Sequence, residues 1–417
     1  MKRRIAGLLC MVSFGIGFNV VHAQRLGVAS CAQSFCHGFA KPLSVTRVQQ
    51  NEYITWLNFD PHAKAYATLR KPKSRAIATR LGLGEAYEEK VCLDCHTDLV
   101  RRNDRGPKFQ IDDGIGCEAC HGSASNWIAP HHSGTDRSHA ANVARGLAPL
   151  EDAATRAEVC MSCHVGSRSR MATHTMMAAG HPRLSFELDT FTEIWRASGG
   201  REHFRVNSKM ISGAQVWLRG LVSAATARLD LIDTHSQSQS AMPEFAIYNC
   251  YACHRQMRVD AWAGPQSDGL PPGSLRFDDS ALRMLIAAFD GTQRPIAKQL
   301  RDATRQWQQS LSNVKQLGIA QQNLRRVLGI VAREVARMDF PAARSKAMLD
   351  SLVESAQRGE FPDYASAEQA AMAMVLLMAD TGNDTRRRPD IDKLFRALAD
   401  DTRFDPKLFR NSSVKIK

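Results

Sequence analysis

The chain has 417 residues, with 55 Lys and Arg against 42 Asp and Glu, a formal charge of +13 and a mean hydropathy of −0.31. That length provides for two or three domains. The basic balance invites nucleic acid as a partner, but no nucleic-acid-binding motif accompanies it, and that class is set aside.

In chain order, residues 1–23 read as a secretory signal: Lys2, Arg3 and Arg4 precede the largely apolar run Ile5–Val21, and Ala23 offers a small residue for cleavage before Gln24. An uncleaved anchor is the competing reading of that run. Export would remove Cys10 and place the mature chain in the periplasm, outside the bacterial inner membrane. From there a single pattern recurs. Four copies read Cys-x-x-Cys-His: Cys92-Leu-Asp-Cys95-His96, Cys117-Glu-Ala-Cys120-His121, Cys160-Met-Ser-Cys163-His164 and Cys250-Tyr-Ala-Cys253-His254. A fifth, first in order, has a longer loop, Cys31-Ala-Gln-Ser-Phe-Cys36-His37.

This is the attachment signature of c-type haem. Two thiols add to the two vinyl groups of one porphyrin, and the histidine that follows ligates the iron. A lone Cys-x-x-Cys also suits half a zinc site or a redox dithiol. Here a histidine follows every second cysteine, and ten of the eleven cysteines lie in the five motifs, Cys10 being the other. Five covalent haems are therefore expected, with Cys31, Cys36, Cys92, Cys95, Cys117, Cys120, Cys160, Cys163, Cys250 and Cys253 as attachment points and His37, His96, His121, His164 and His254 as proximal ligands.

The motifs span 224 residues, Cys31 to His254, or about 45 per haem. So little protein around each porphyrin predicts short helices and long irregular connections, with the haem faces forming much of the core and folding coupled to haem binding. Asp60-Pro61 predicts a helix start that puts His62 in its first turn. Gly114, Gly116 and Gly122 surround the Cys117 motif, where backbone must pass closely. His174 and His181, seven apart, would share a helical face, with Gly180 and Pro182 marking its end. Residues 212–233 carry a helical apolar pattern leading to the last motif.

Each iron has a second axial position. Of the nine histidines outside the motifs, His22 lies in the signal. Among the rest, His62, His131, His174, His181 and His139 are the candidate distal ligands, ahead of His132, His203 and His235. Two imidazoles give a low-spin, low-potential centre suited to electron transfer, and an open position would permit substrate chemistry.

Residues 263–279 form a turn-rich linker, dividing a pentahaem domain at 24–262 from a helical bundle at 280–402 and a tail at 403–417. The bundle region has neither cysteine nor histidine. One amphipathic helix is read through Ile296, Leu300, Ala303, Trp307, Leu311, Val314 and Leu317, another through Leu324 to Val335, and others at 370–378 and 391–398. Residues 281–417 hold 23 basic and 16 acidic residues, so +7. Such a surface suits an acidic redox partner or a membrane complex, although a solvated face accounts for it as well.

The stretch Gly114-Ile-Gly-Cys-Glu-Ala-Cys-His121-Gly122, with Trp127 and His131 following without gaps, resembles the third haem site of the cytochrome c-554 group of periplasmic multihaem cytochromes. His62-Ala-Lys-Ala resembles that group's histidine-bearing helix after the first haem site. The likeness covers roughly residues 27–185. It implies closely packed, mostly bis-histidine haems and electron transfer, with one open haem possible in such proteins. The type member has four haems and no bundle, so the expanded first motif, the Cys250 site and residues 280–417 depart from it. The chain lacks the Cys-x-x-Cys-Lys motif of pentahaem nitrite reductases and has too few motifs for an octahaem hydroxylamine oxidoreductase. The resulting expectation is a mostly α multihaem cytochrome c with a C-terminal helical bundle, carrying electrons between redox partner proteins. An enzyme acting on a small nitrogen or sulfur compound at one open haem is the alternative.

Overall fold

A computed structural model describes residues 24–44, 48–98, 100–197, 212–236, 243–254, 270, 274–382 and 387–416, with side chains omitted for 194–197. The signal at 1–23, His203 and most of the 263–279 linker lie outside these residues. The chain is mostly helical, as expected, with many short helices followed by a packed C-terminal helical region. Pairing of extended backbone among the described residues is confined to three isolated bridges.

The first half carries α1 (Glu52–Phe59), α2 (Ala65–Leu69), α3 (Pro72–Arg80), α4 (Lys90–His96), α5 (Cys117–His121), α6 (Ile128–Ser133), α7 (His139–Ala144), α8 (Ala153–His164), α9 (His174–Ala178) and α10 (Leu188–Ala197). Their starts follow local chemistry. Ser138, Asp152 and Thr173 accept from the exposed backbone N–H groups of α7, α8 and α9, and Pro72 opens α3 where an N–H is not needed. Asp60 behaves as its sequence predicts. A 3-10 turn, Pro61–Lys64, begins there and leads into α2, with Asp60 accepting from His62 N at 2.9 Å.

Two small apolar clusters are described in this half, one around Tyr66, Leu69, Ala78 and Leu93, the other around Ala157, Met161 and Leu188. The large cluster lies in α11 (Gly213–Ser236), α12 (Ser280–Asp290), α13 (Arg294–Gln309), α14 (Val314–Arg337), α15 (Ala342–Gln357), α16 (Tyr364–Asp380), α17 (Arg388–Arg396) and α18 (Pro406–Ser413). The helix α11 precedes the last motif in sequence, yet Trp217, Leu218, Leu221, Leu229 and Ile232 are buried with the bundle. Val216, on the same helix, packs in the Ala157–Met161–Leu188 cluster. So α11 is the seam between the haem half and the bundle.

The single helix read through Ile296 and Leu317 is two. After Gln309 the chain turns, and Asn313 caps α14 by accepting from Gln316 N at 3.1 Å. Ser and Asn compete with helical backbone bonds, which is why the break falls there. Residues 406–416 fold back, burying Phe409 and Ile416. Among the described residues no helix is long and apolar enough to cross a membrane.

The seam holds an acidic cluster. Glu187 caps α10, accepting from Asp189 N and Thr190 N. Asp380, at the end of α16, accepts from Ser212 Oγ, Ala214 N and Ser345 Oγ. Burial, then Glu187, Glu193 and Asp380, push the Asp189 carboxyl up to about 7, against a smaller opposing pull from Arg156. A carboxyl raised in the folded state binds protons there that the unfolded chain has released. Stability therefore falls as pH rises from the ordinary carboxylate range to about 7, then levels off. Asp189→Asn is expected to flatten that slope and to be more stable than wild type above pH 7 by on the order of 2 kcal/mol. Urea denaturation at pH 5 and pH 8 measures it, and an unchanged pH slope would contradict it.

Candidate haem centres

Three motifs end helices. The Cys92, Cys117 and Cys160 motifs close α4, α5 and α8, each with its histidine as the last helical residue. Cysteines three apart lie nearly one turn apart on such a helix. The Cys250 motif makes a 3-10 turn at Cys250–Ala252. The expanded motif closes its loop with the bonds Cys36 N to Gln33 O and His37 N to Cys31 O, and it bulges Phe35 into solvent. The extra residues go outward, so His37 still faces inward.

Four motif histidines stand opposite four of the candidate distal histidines. Ring centroids are 6.2 Å apart for His37 and His131, 6.1 Å for His62 and His164, 6.5 Å for His96 and His181, and 6.1 Å for His174 and His254. Two imidazoles on opposite sides of one metal ion, each with a nitrogen about 2 Å from it and half a ring width behind that nitrogen, have centroids roughly 6 Å apart. The spacing fits one iron per pair. The fifth candidate, His139, begins α7 and bonds through Nε2 to Glu151. His132 is exposed and His235 lies in the last turn of α11. His121 ends α5, and its carbonyl accepts from Ala148 N at 3.0 Å.

Neighbouring groups orient these rings. His37 Nδ1 bonds to Glu52 and His62 Nδ1 to Asp60, both at 2.8 Å. His96 Nδ1–H donates to Ala65 O at 3.1 Å, and His181 Nδ1–H donates to Pro182 O at 2.8 Å. Holding Nδ1 in this way leaves Nε2 as the ligating atom and makes it more basic. The two carboxylates raise the affinity of His37 and His62 for a proton. Burial lowers it for His96 and His131, and burial followed by His62 takes His164 to about 4. Those three imidazoles are therefore neutral at pH 7, the form that binds metal. His164 also stacks on Phe186 at 4.1 Å, and Trp127 stands edge-on to His131 at 5.9 Å.

A second fit observation comes from unpartnered polar atoms. Trp127 Nε1 and Asn142 Oδ1 are buried next to His131, and Asn51 Oδ1 is buried beside Glu52; none has a hydrogen-bond partner. Native proteins seldom leave such groups unsatisfied. Of the three only Trp127 Nε1 is a donor, and a propionate carboxylate of a haem between His37 and His131 would accept from it.

The motifs also approach one another. The Cys31 and Cys117 thiols lie close enough to perturb each other, as do those of Cys95 and Cys163. In the second pair the Cys163 thiol is pushed down to about 5 by Cys95 and by Arg170, whose guanidinium donates to Cys163 Sγ at 3.3 Å. Cys120 is raised to about 12 by burial, with Cys160, Asp60, Asp98 and Cys163 nearby. The motifs that begin at Cys31, Cys117, Cys160 and Cys92 thus form a continuous cluster.

Some supporting residues escaped the sequence reading. Glu118, inside a motif, is buried and accepts from Gly27 N at 2.8 Å and Ala124 N at 2.7 Å, tying both flanks of the third site together. Its position between two attachment cysteines was the available signal. Gly114 has a φ of +71°, and a Cβ there would lie 2.7 Å from His62 O. The crowding anticipated at this glycine is thus with the backbone of the histidine-bearing turn.

Residues 30–122 match the family of cytochrome c554 and c-prime. The chain therefore carries a domain of that family and is a haem c-containing redox protein. No curated protein and no solved structure matches the chain.

Proposed function

We propose that the chain is a periplasmic pentahaem cytochrome c that carries electrons between redox partner proteins. The observation that supports this best is the set of four histidine pairs 6.1–6.5 Å apart, each joining a motif histidine to one outside any motif. Haem iron supplies one-electron redox chemistry, and two imidazole ligands favour low-spin electron transfer over substrate binding. The chain's own part is to hold those imidazoles. Glu52 and Asp60 keep Nδ1 of His37 and His62 engaged, and Phe186 and Trp127 restrict the His164 and His131 rings. The fifth haem follows from the allocation of the two remaining cysteines, Cys117 and Cys120, with His121. Covalent haem attachment outside the cytoplasm supports the periplasmic location. The basic C-terminal half, through Arg387, Arg388 and their neighbours, offers a face to an acidic redox partner or membrane complex.

Intact mass and a pyridine haemochrome assay on the matured protein should count five haems. His62→Ala and His131→Ala should each retain five haems while converting one low-spin EPR signal to high spin. Unchanged spectra in both variants would remove the ligand assignment. Rapid cyanide or nitric oxide binding by the wild type, with turnover of a nitrogen or sulfur compound, would replace the carrier by an enzyme.

A further inference from the structure

The Cys250 site differs from the other four in what surrounds it. Each of the others has a cysteine close to a cysteine of another motif. Packing around the Cys250 thiol raises it, and its charged neighbours are instead Asp278, Arg183, Arg228 and Asp363. Arg228 pairs with Asp278 at 2.7 Å, and Arg183 pairs with Glu368 of α16 at 2.8 Å. Tyr248 stacks on Phe277 and Tyr251 stands edge-on to Phe404. The bundle therefore builds one wall of this site. Cys250 and Cys253 are exposed, whereas the other eight motif cysteines are buried or half-buried.

The link back to the cluster is one short segment. His174, at the start of α9, faces His254, and His181, just past its end, faces His96. The two histidines serve different sites rather than one shared face, because the helix stops at Ala178 and the chain reverses. His181 N donates to Met176 O at 3.0 Å and Gly180 N to Met177 O at 2.9 Å. Gly180 has a φ of +109°. This is the paired-bond helix ending that needs glycine. Arg80 of α3 donates to Ala179 O at 2.8 Å, pinning the turn.

We propose that the Cys250 centre is the terminal, solvent-facing port of the relay, joined to the Cys92 centre by the ligand-bearing segment His174–His181. This rests on the pentahaem reading above. The test uses the full-length matured protein and EPR-monitored redox titration. His181→Ala identifies the low-spin signal of the Cys92 centre as the one lost, and His174→Ala identifies that of the Cys250 centre. In His174→Ala the largest change in midpoint is expected at the Cys92 signal. In the wild type an external gadolinium chelate is expected to enhance relaxation most at the Cys250 signal. A largest midpoint change at some other signal, strongest relaxation at another centre, or five intact low-spin signals in His174→Ala would each overturn the proposal. Should either alanine variant fail to mature, the histidine-to-methionine variants at the same positions give the same assignment through a raised potential. Four haems in the wild type would instead overturn the pentahaem reading on which the proposal stands.

Discussion

Full-length chain produced without haem attachment is expected to keep its C-terminal helices and lose most of its first half. In hydrogen exchange, peptides from α12 to α16 should remain protected while those from residues 48–164 exchange as unfolded chain does. The reason lies in where the apolar residues are. Trp217, Trp307, Phe289, Leu300, Leu324 and Leu377 are wholly buried in one cluster built from α11 to α18. The two clusters described ahead of it hold six and five buried residues, several of them alanines. Such clusters cannot offset the conformational entropy of ordering ten short helices. In the first half, the porphyrin faces must provide the missing apolar contact, and haem binding becomes folding energy. Protection of α1–α8 in the unmatured chain would show that the half folds on protein contacts alone.

The second large effect is expected from Trp307→Ala. Trp307 is 0% exposed and stacks on Phe277 at 4.7 Å. Phe277 in turn stacks on Tyr248 at 5.4 Å, two residues before Cys250. Gln308 fixes the middle of this column, accepting from Phe277 N and donating to Phe277 O, both at 3.0 Å. Removing the indole leaves a large cavity and a loss of about 3–5 kcal/mol. It also frees Tyr248, so the Cys250 centre should show a broadened or altered EPR signal while the other four are unchanged. Trp307→Phe retains an aromatic ring for the stack and removes an indole N–H that is buried without a partner, so its loss should be much smaller. Chemical denaturation followed by far-UV circular dichroism, with EPR of the folded variants, measures both. Equal stability of the alanine variant and wild type would mean that the column carries little of the bundle's packing.

What could be read from sequence here is what depends on neighbours along the chain. A histidine next to the second of two cysteines close in sequence is a local arrangement, so the five motifs themselves were legible without a fold. Asp60-Pro61 sets a helix start within three residues, and Gly180 ends α9 through its own backbone freedom. The 3.6-residue apolar stripes of α13 and α14 follow from helical geometry, and α16 is apolar nearly all round, as a helix buried on every side is, which is why the bundle could be anticipated. The break at Ser310–Asn313 could not, since apolar periodicity ran through it and hydrogen bonds of the capping Asn313 decided the matter.

Tertiary structure decided which histidine meets which motif. His62 lies between the first and second motifs and faces His164 of the fourth, and His181 follows the fourth and faces His96 of the second. Pairings like these depend on how short helices stack, and no spacing rule encodes them. The same holds for α11. Its apolar residues permit burial on either side, and only packing places Trp217 and Leu221 in the bundle core while Val216 packs against α8. A stripe specifies that a helix is buried; the partner is chosen by which neighbouring surfaces remain to be covered.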